Sequence, residues 1–112
     1  MFLNRALLAF SGFLLSFQVM ASGSVLINGK EIKTRDDLHT LLAKQLNLPS
    51  NYARNMDSLY YMLSTDFAGN NIIKIKHVNS LKAKLGADYI DGFIQAIMDA
   101  SEDNPRIIIV LE

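Results

Sequence analysis

Two periods of apolar residues run along this chain, one of the strand kind and one of the helix kind. Val25-Leu26-Ile27 is a short apolar run closed by Asn28-Gly29, a dipeptide that easily supplies two positive φ angles. Residues 24–32 are therefore predicted as a strand and a turn, with Ile32 returning to the core. Thr34 is a plausible N-cap with Asp37 three residues on, a capping-box variant. Leu38, Leu41, Leu42 and Leu46 then form a helical stripe that ends before Pro49. His39 and Lys44 sit off that stripe, so both are expected at the surface.

The segment 48–63 organises the rest. Leu48-Pro49-Ser50-Asn51 is a turn signal, and Met56, Leu59, Tyr60 and Leu63 follow at the i, i+3, i+4, i+7 spacing of one buried helical stripe. At about 100° per residue, Arg54, Asp57 and Tyr61 share another face. That face carries two opposite charges and an aromatic ring, a mixture suited to gripping a partner. The same spacing also fits a solvated face with a local Arg–Asp pair worth about 0.3 kcal/mol.

Beyond Ser64, a loop is predicted over 67–71, punctuated by Gly69-Asn70-Asn71. An edge or second strand is predicted over 72–76. Asn79-Ser80 can cap a short helix over 81–85, with Gly86 just past its end. A last helix over 89–101 has the stripe Ile90, Phe93, Ile94, Ile97 and Met98, interrupted by Gly92. After a polar turn, residues 107–111 are uniformly apolar, the mark of a parallel strand buried on both faces. Strand–helix–helix–strand–helix–helix–strand order gives an α/β layer: a three-stranded parallel sheet packed by about four helices, its C-terminal strand central.

Composition changes this picture at the N-terminus. Residues 1–21 read as a signal peptide: Arg5 is a short positive region, the run after it is apolar, and Val19-Met20-Ala21 is a small-residue cleavage site. Cleavage after Ala21 fits, with Gly23 the other candidate, and the apolar run is short of the roughly 20 residues of a membrane span. The expectation is an exported, periplasmic, monomeric domain over residues 22–112, free of the membrane once cleaved. Without Arg5 the domain carries 10 basic and 11 acidic residues. There is no basic run to track nucleic acid and no cation–aromatic interleaving for base stacking.

Cysteine is absent, which excludes thiol catalysis, thiolate metal sites and disulfides. His39 and His77 have no neighbouring serine or acid that forms a triad, and no phosphate-binding or nucleophile-elbow motif occurs. Asp36-Asp37 at a helix start is explained by the helix dipole. No metal or cofactor is expected, and the pattern is not that of an enzyme.

Several elements together resemble the barstar family, small inhibitors of guanyl-specific extracellular ribonucleases. They are Ile27-Asn28-Gly29, Asp37-Leu38-His39, Leu48-Pro49, Tyr52, Asn55, Asp57, Leu59 and the closing Ile-rich strand. They are co-linear over nearly all of the domain, with one inserted residue near the second strand. The resemblance implies a three-stranded parallel sheet packed by four helices. It also implies that the second helix and the loop before it plug a ribonuclease active site, acidic side chains standing in for RNA phosphates.

Carried over by position, Asp57 matches a contact aspartate, Asn55 an asparagine two residues before it, and Asp99 an acidic residue at the interface edge. Tyr60 stands where the family has tryptophan. Tyr61 replaces the family's main inhibitory aspartate, Asn51 a tyrosine, Ala53 a glycine and Arg54 an acidic residue. A tyrosine supplies no carboxylate at neutral pH, so steering toward a basic ribonuclease is expected to be weaker. The candidate partner-binding residues are Asn51, Arg54, Asn55, Asp57, Tyr60, Tyr61, Ser64 and Asp99. Two functions follow: an inhibitor that occludes a ribonuclease or related toxin, or an interaction module of the same fold that no longer inhibits one.

Overall fold

The computed structural model describes residues 24–66 and 71–112. The predicted leader and most of the loop predicted over 67–71 lie outside them. The elements, in order, are β1 (Ser24–Asn28), α1 (Arg35–Leu46), α2 (Met56–Tyr61) continuing into a π-helical turn (Met62–Asp66), β2 (Asn71–Lys76), α3 (Val78–Leu85), α4 (Ala87–Asp103) and β3 (Ile107–Leu111). The strands form one parallel sheet in the order β1-β2-β3. The expected α/β layer of three parallel strands and four helices is therefore present.

β2, not the C-terminal strand, is central, with Ile73 aligned to Val25 on one side and Ile109 on the other. β3 is an edge strand, and its apolar run is not buried on both faces. Ile107 is buried, whereas Ile108 and Leu111 are 52% and 48% exposed. The alternation is simple: Val25, Ile27, Ile73, Ile75 and Ile107 face the helices, while Leu26, Ile72 and Ile108 face outward. A uniformly apolar strand lost its polar–apolar code, so its two faces could not be told apart by sequence. The other edge, β1, has its Leu26 amide donating to Gln45 Oε1 of α1 at 3.1 Å.

Helix ends and turns follow local chemistry with two exceptions. Thr34 caps α1 as predicted: its hydroxyl accepts from the Asp37 amide at 3.0 Å and its amide donates to the Asp37 carboxylate at 3.2 Å. Gly86, at φ 105°, ends α3 and turns the chain into α4. α3 starts three residues earlier than the spacing predicts, after His77 in the left-handed region at φ 55°, so Asn79-Ser80 is inside the helix. Asn28-Gly29 does not adopt the paired positive φ angles. Instead Asn28 Oδ1 accepts from the Lys30 amide, an Asx turn, and Gly29 lies where a Cβ would stand 2.3 Å from the His77 carbonyl oxygen. The glycine serves close backbone approach rather than φ.

The core joins the inner sheet face to Leu38, Leu42 and Leu46 of α1, Leu59 and Leu63, Leu81 and Leu85 of α3, and Ile90, Phe93, Ile94 and Ile97 of α4. Four side chains depart from the expected pattern. Tyr60 and Met98 are 36% and 44% exposed, and Met62 is buried instead. His39, expected outside, is 1% exposed. The π-helical turn after Tyr61 rotates the stripe, which brings Met62 inward beside Leu63 and leaves both tyrosines on the surface.

Candidate partner-binding site

The loop from α1 to α2 is fixed before the helix begins. Asn47 in the left-handed region closes α1 with its amide on the Ala43 and Lys44 carbonyls. The Tyr52 amide donates to the Pro49 carbonyl, and the buried Tyr52 ring anchors the loop. Asn55 caps α2, its Oδ1 accepting from the Ser58 amide at 2.7 Å, and Ser58 Oγ accepts from the Ala53 amide at 3.0 Å. Asn55 therefore has a structural task that spacing alone did not reveal.

Arg54 does not share a helical face with Asp57 and Tyr61. It precedes the cap with φ 58°, and its guanidinium donates to both carboxylate oxygens of Asp36, at 2.9 and 3.2 Å. The helical spacing argument failed because residue 54 is not in the helix. Asp57 is left exposed in the first turn of α2, with no hydrogen bond or ion pair among the described residues.

Across from α2 runs α4, and between them lies an open groove of about 590 Å³. Its walls are Met56, Asp57, Tyr60 and Tyr61 from α2 and Gly92, Gln95, Ala96 and Asp99 from α4. Four of the sequence candidates, Asp57, Tyr60, Tyr61 and Asp99, thus meet around one depression. Asn51, Arg54, Asn55 and Ser64 do not line it.

Gly92 makes the groove possible: a Cβ built there has nothing within 4 Å, so the backbone of α4 forms open floor. This glycine, read in sequence as a tolerated interruption of the stripe, is part of the groove wall. Gln95 and Met56 were also missed, since neither residue type has a distinctive pattern.

The electrostatics of the groove are anionic. Gln95 Nε2 donates to Asp99 Oδ1 at 2.8 Å, which orients that carboxylate. The Tyr60 hydroxyl donates to the Asp103 carboxylate, and this contact raises its pKa above the ordinary phenol value. No cationic side chain is among the groove's lining residues, and Arg54 and Lys82 pair with Asp36 and Asp91. Two phenol faces beside two carboxylates suit a cationic side chain, which gains ring attraction and a charge-assisted hydrogen bond together. Among the described residues no group of three or more histidine or acidic side chains is arranged to hold a metal.

Residues 23–111 match the family model described as Barstar (barnase inhibitor). The match covers every described strand and helix. With a three-stranded parallel sheet, four helices and an anionic groove on the second of them, the chain belongs to the Barstar (barnase inhibitor) family.

Proposed function

We propose that this chain is an exported inhibitor that binds a guanyl-specific ribonuclease, or a related toxin, and covers its active cleft with α2 and the loop before it. The observation that carries this reading is the Asp57–Asp99 groove, an unpaired carboxylate and an oriented one flanking exposed tyrosines. A ribonuclease cleft binds phosphates with basic side chains, and such a side chain fits this groove. Inhibition is then occlusion, with no chemistry done by the chain itself. Export to the periplasm rests on the apolar run and small-residue site of residues 1–21, and the inhibitor acts as a monomer after cleavage.

The test is inhibition of a panel of secreted guanyl-specific ribonucleases by the chain beginning at Ser22. Saturable one-to-one inhibition that Asp57→Ala weakens by about 30-fold or more supports the reading, since a charge-assisted hydrogen bond contributes about 2 kcal/mol. A second reading, a family member that serves as an interaction module without inhibiting a ribonuclease, draws on Tyr61. Its exposed phenol, at 55%, stands where the family has its main carboxylate. A folded chain that inhibits nothing in the panel favours this second reading.

A further inference from the structure

His39 is a buried imidazole with both nitrogens engaged by phenols. Nδ1 lies 2.5 Å from the Tyr52 hydroxyl and Nε2 2.7 Å from the Tyr89 hydroxyl. The three rings come from three places: His39 from α1, Tyr52 from the α1–α2 loop, and Tyr89 from the first turn of α4. Phe93 packs edge-on against the imidazole, with ring centroids 5.8 Å apart. Arg35 lies over the outer face of Tyr89, 4.1 Å from its centroid, and donates twice to the Leu85 carbonyl. The buried Tyr52 ring packs in the core beside His39, and its hydroxyl meets that titratable ring.

A neutral imidazole satisfies this arrangement fully, donating to one phenol and accepting from the other. An imidazolium has two donors and no acceptor. Both phenols then have to accept, and the phenol that had donated to the neutral ring loses the partner of its proton. The charges that face the ring are Asp36 on α1, which favours the cation, and Arg54 in the loop, which opposes it. These two pair with each other at 2.9 Å, so their effects on the ring largely offset. Tyr89 from α4 and Tyr52 from the loop are neutral, both held above the ordinary phenol pKa by burial. Burial is the largest influence on His39 itself and lowers its pKa.

We propose that His39 is a positioning residue for the binding loop: neutral, it pins Tyr52 and the start of α2, and protonated, it releases them. The loop leads directly into the Asn55 cap and Asp57, so the release acts on the candidate site without touching it. The inference does not depend on which partner binds there.

The experiment is amide hydrogen exchange of the free protein between about pH 7.5 and pH 5, in a His77→Asn background so that one imidazole titrates. The reporting amides are Tyr52, which donates to Pro49, Ala53, which donates to Ser58, and Ser58, which donates to Asn55. Ile73 and Ile75 in the central strand are the reference for global opening. Protection of the three loop amides, corrected for intrinsic chemistry, is expected to fall by up to about tenfold per pH unit below about pH 6.5. The Ile73 and Ile75 amides stay protected through that range. His39→Gln, whose amide both donates and accepts, keeps the protection and loses the pH step. Loop protection that tracks Ile73 and Ile75 at every pH overturns the proposal, as does a pH step that survives in His39→Gln.

Discussion

The hydroxyl of Tyr60 on α2 donates to the carboxylate of Asp103 at the far end of α4. This bond ties α2 to the C-terminal end of α4. It also explains why the phenol resists ionisation, since a tyrosinate beside Asp103 meets a like charge. Spectrophotometric titration is expected to show Tyr52, Tyr89 and Tyr60 all ionising above the ordinary phenol range, with the contribution of Tyr60 identified by its loss in Tyr60→Phe. In Asp103→Asn, Tyr60 returns toward the ordinary range; a titration unchanged by the Asp103 substitution contradicts the assignment.

Gly92 separates stability from binding. Its Cβ position is open space, so Gly92→Ala gains helix propensity with no clash and is expected to stabilise by about 0.5–1 kcal/mol. A denaturation midpoint that rises with unchanged slope is the check. Gly92→Trp fills the groove between α2 and α4 and is expected to abolish partner binding while the protein remains folded.

Gly29 behaves in the opposite way. A methyl group there sits 2.3 Å from the His77 carbonyl oxygen and 3.0 Å from that of Lys76, both backbone atoms that cannot swing aside. Gly29→Ala is expected to destabilise by about 3 kcal/mol, at the upper end of overpacking costs, read from urea unfolding. A loss below about 0.5 kcal/mol would mean that the β1 turn is not held against the end of β2.

Buried Asn104 holds the end of the binding segment. Its Nδ2 donates to the Leu63 carbonyl in the π-helical turn at 2.8 Å, and its Oδ1 accepts from the Arg106 amide at 3.2 Å. Asn104→Ala leaves a buried carbonyl without that donor and is expected to cost about 1–3 kcal/mol. Arg54→Ala, by contrast, breaks an exposed pair with Asp36 and is expected to cost under about 1 kcal/mol and to leave inhibition within a few-fold. A large loss of inhibition in Arg54→Ala would place that guanidinium in the interface after all.

Stability is also expected to depend on pH through His39. Its folded pKa is lowered, so the unfolded chain binds a proton more readily. The neutral-form contribution is complete above the unfolded value near 6.5 and is lost as pH falls from there through the folded value. In a His77→Asn background, His39→Gln should flatten this part of the stability profile. An acid loss of equal size in both proteins assigns it to the carboxylates.

Local chemistry was legible in the amino-acid order. The Thr34–Asp37 capping box, the Pro49 stop, the Gly86 turn and the α1 stripe each depend on residues a few positions apart, so their spacing is nearly their structure. The parallel three-stranded layer also followed, because strands separated by helices have few other ways to pair. Asp57, Tyr60, Tyr61 and Asp99 were named as candidates on residue type and on the likeness to a family.

Tertiary contacts decided the rest. Which strand is central depends on pairing between residues more than thirty positions apart, as with Ile73 beside Val25 and Ile109. His39 is inside because Tyr52 and Tyr89 arrive from distant segments to satisfy both of its nitrogens; on α1 alone it is an off-stripe polar residue. Arg54 pairs with Asp36 instead of Asp57 because the helix starts after it. The groove exists only where Gly92 of α4 passes beside Met56 and Tyr60 of α2, and no local pattern encodes that approach. Sequence thus determined the elements and their caps, whose interactions are short in range, while long-range packing determined the site.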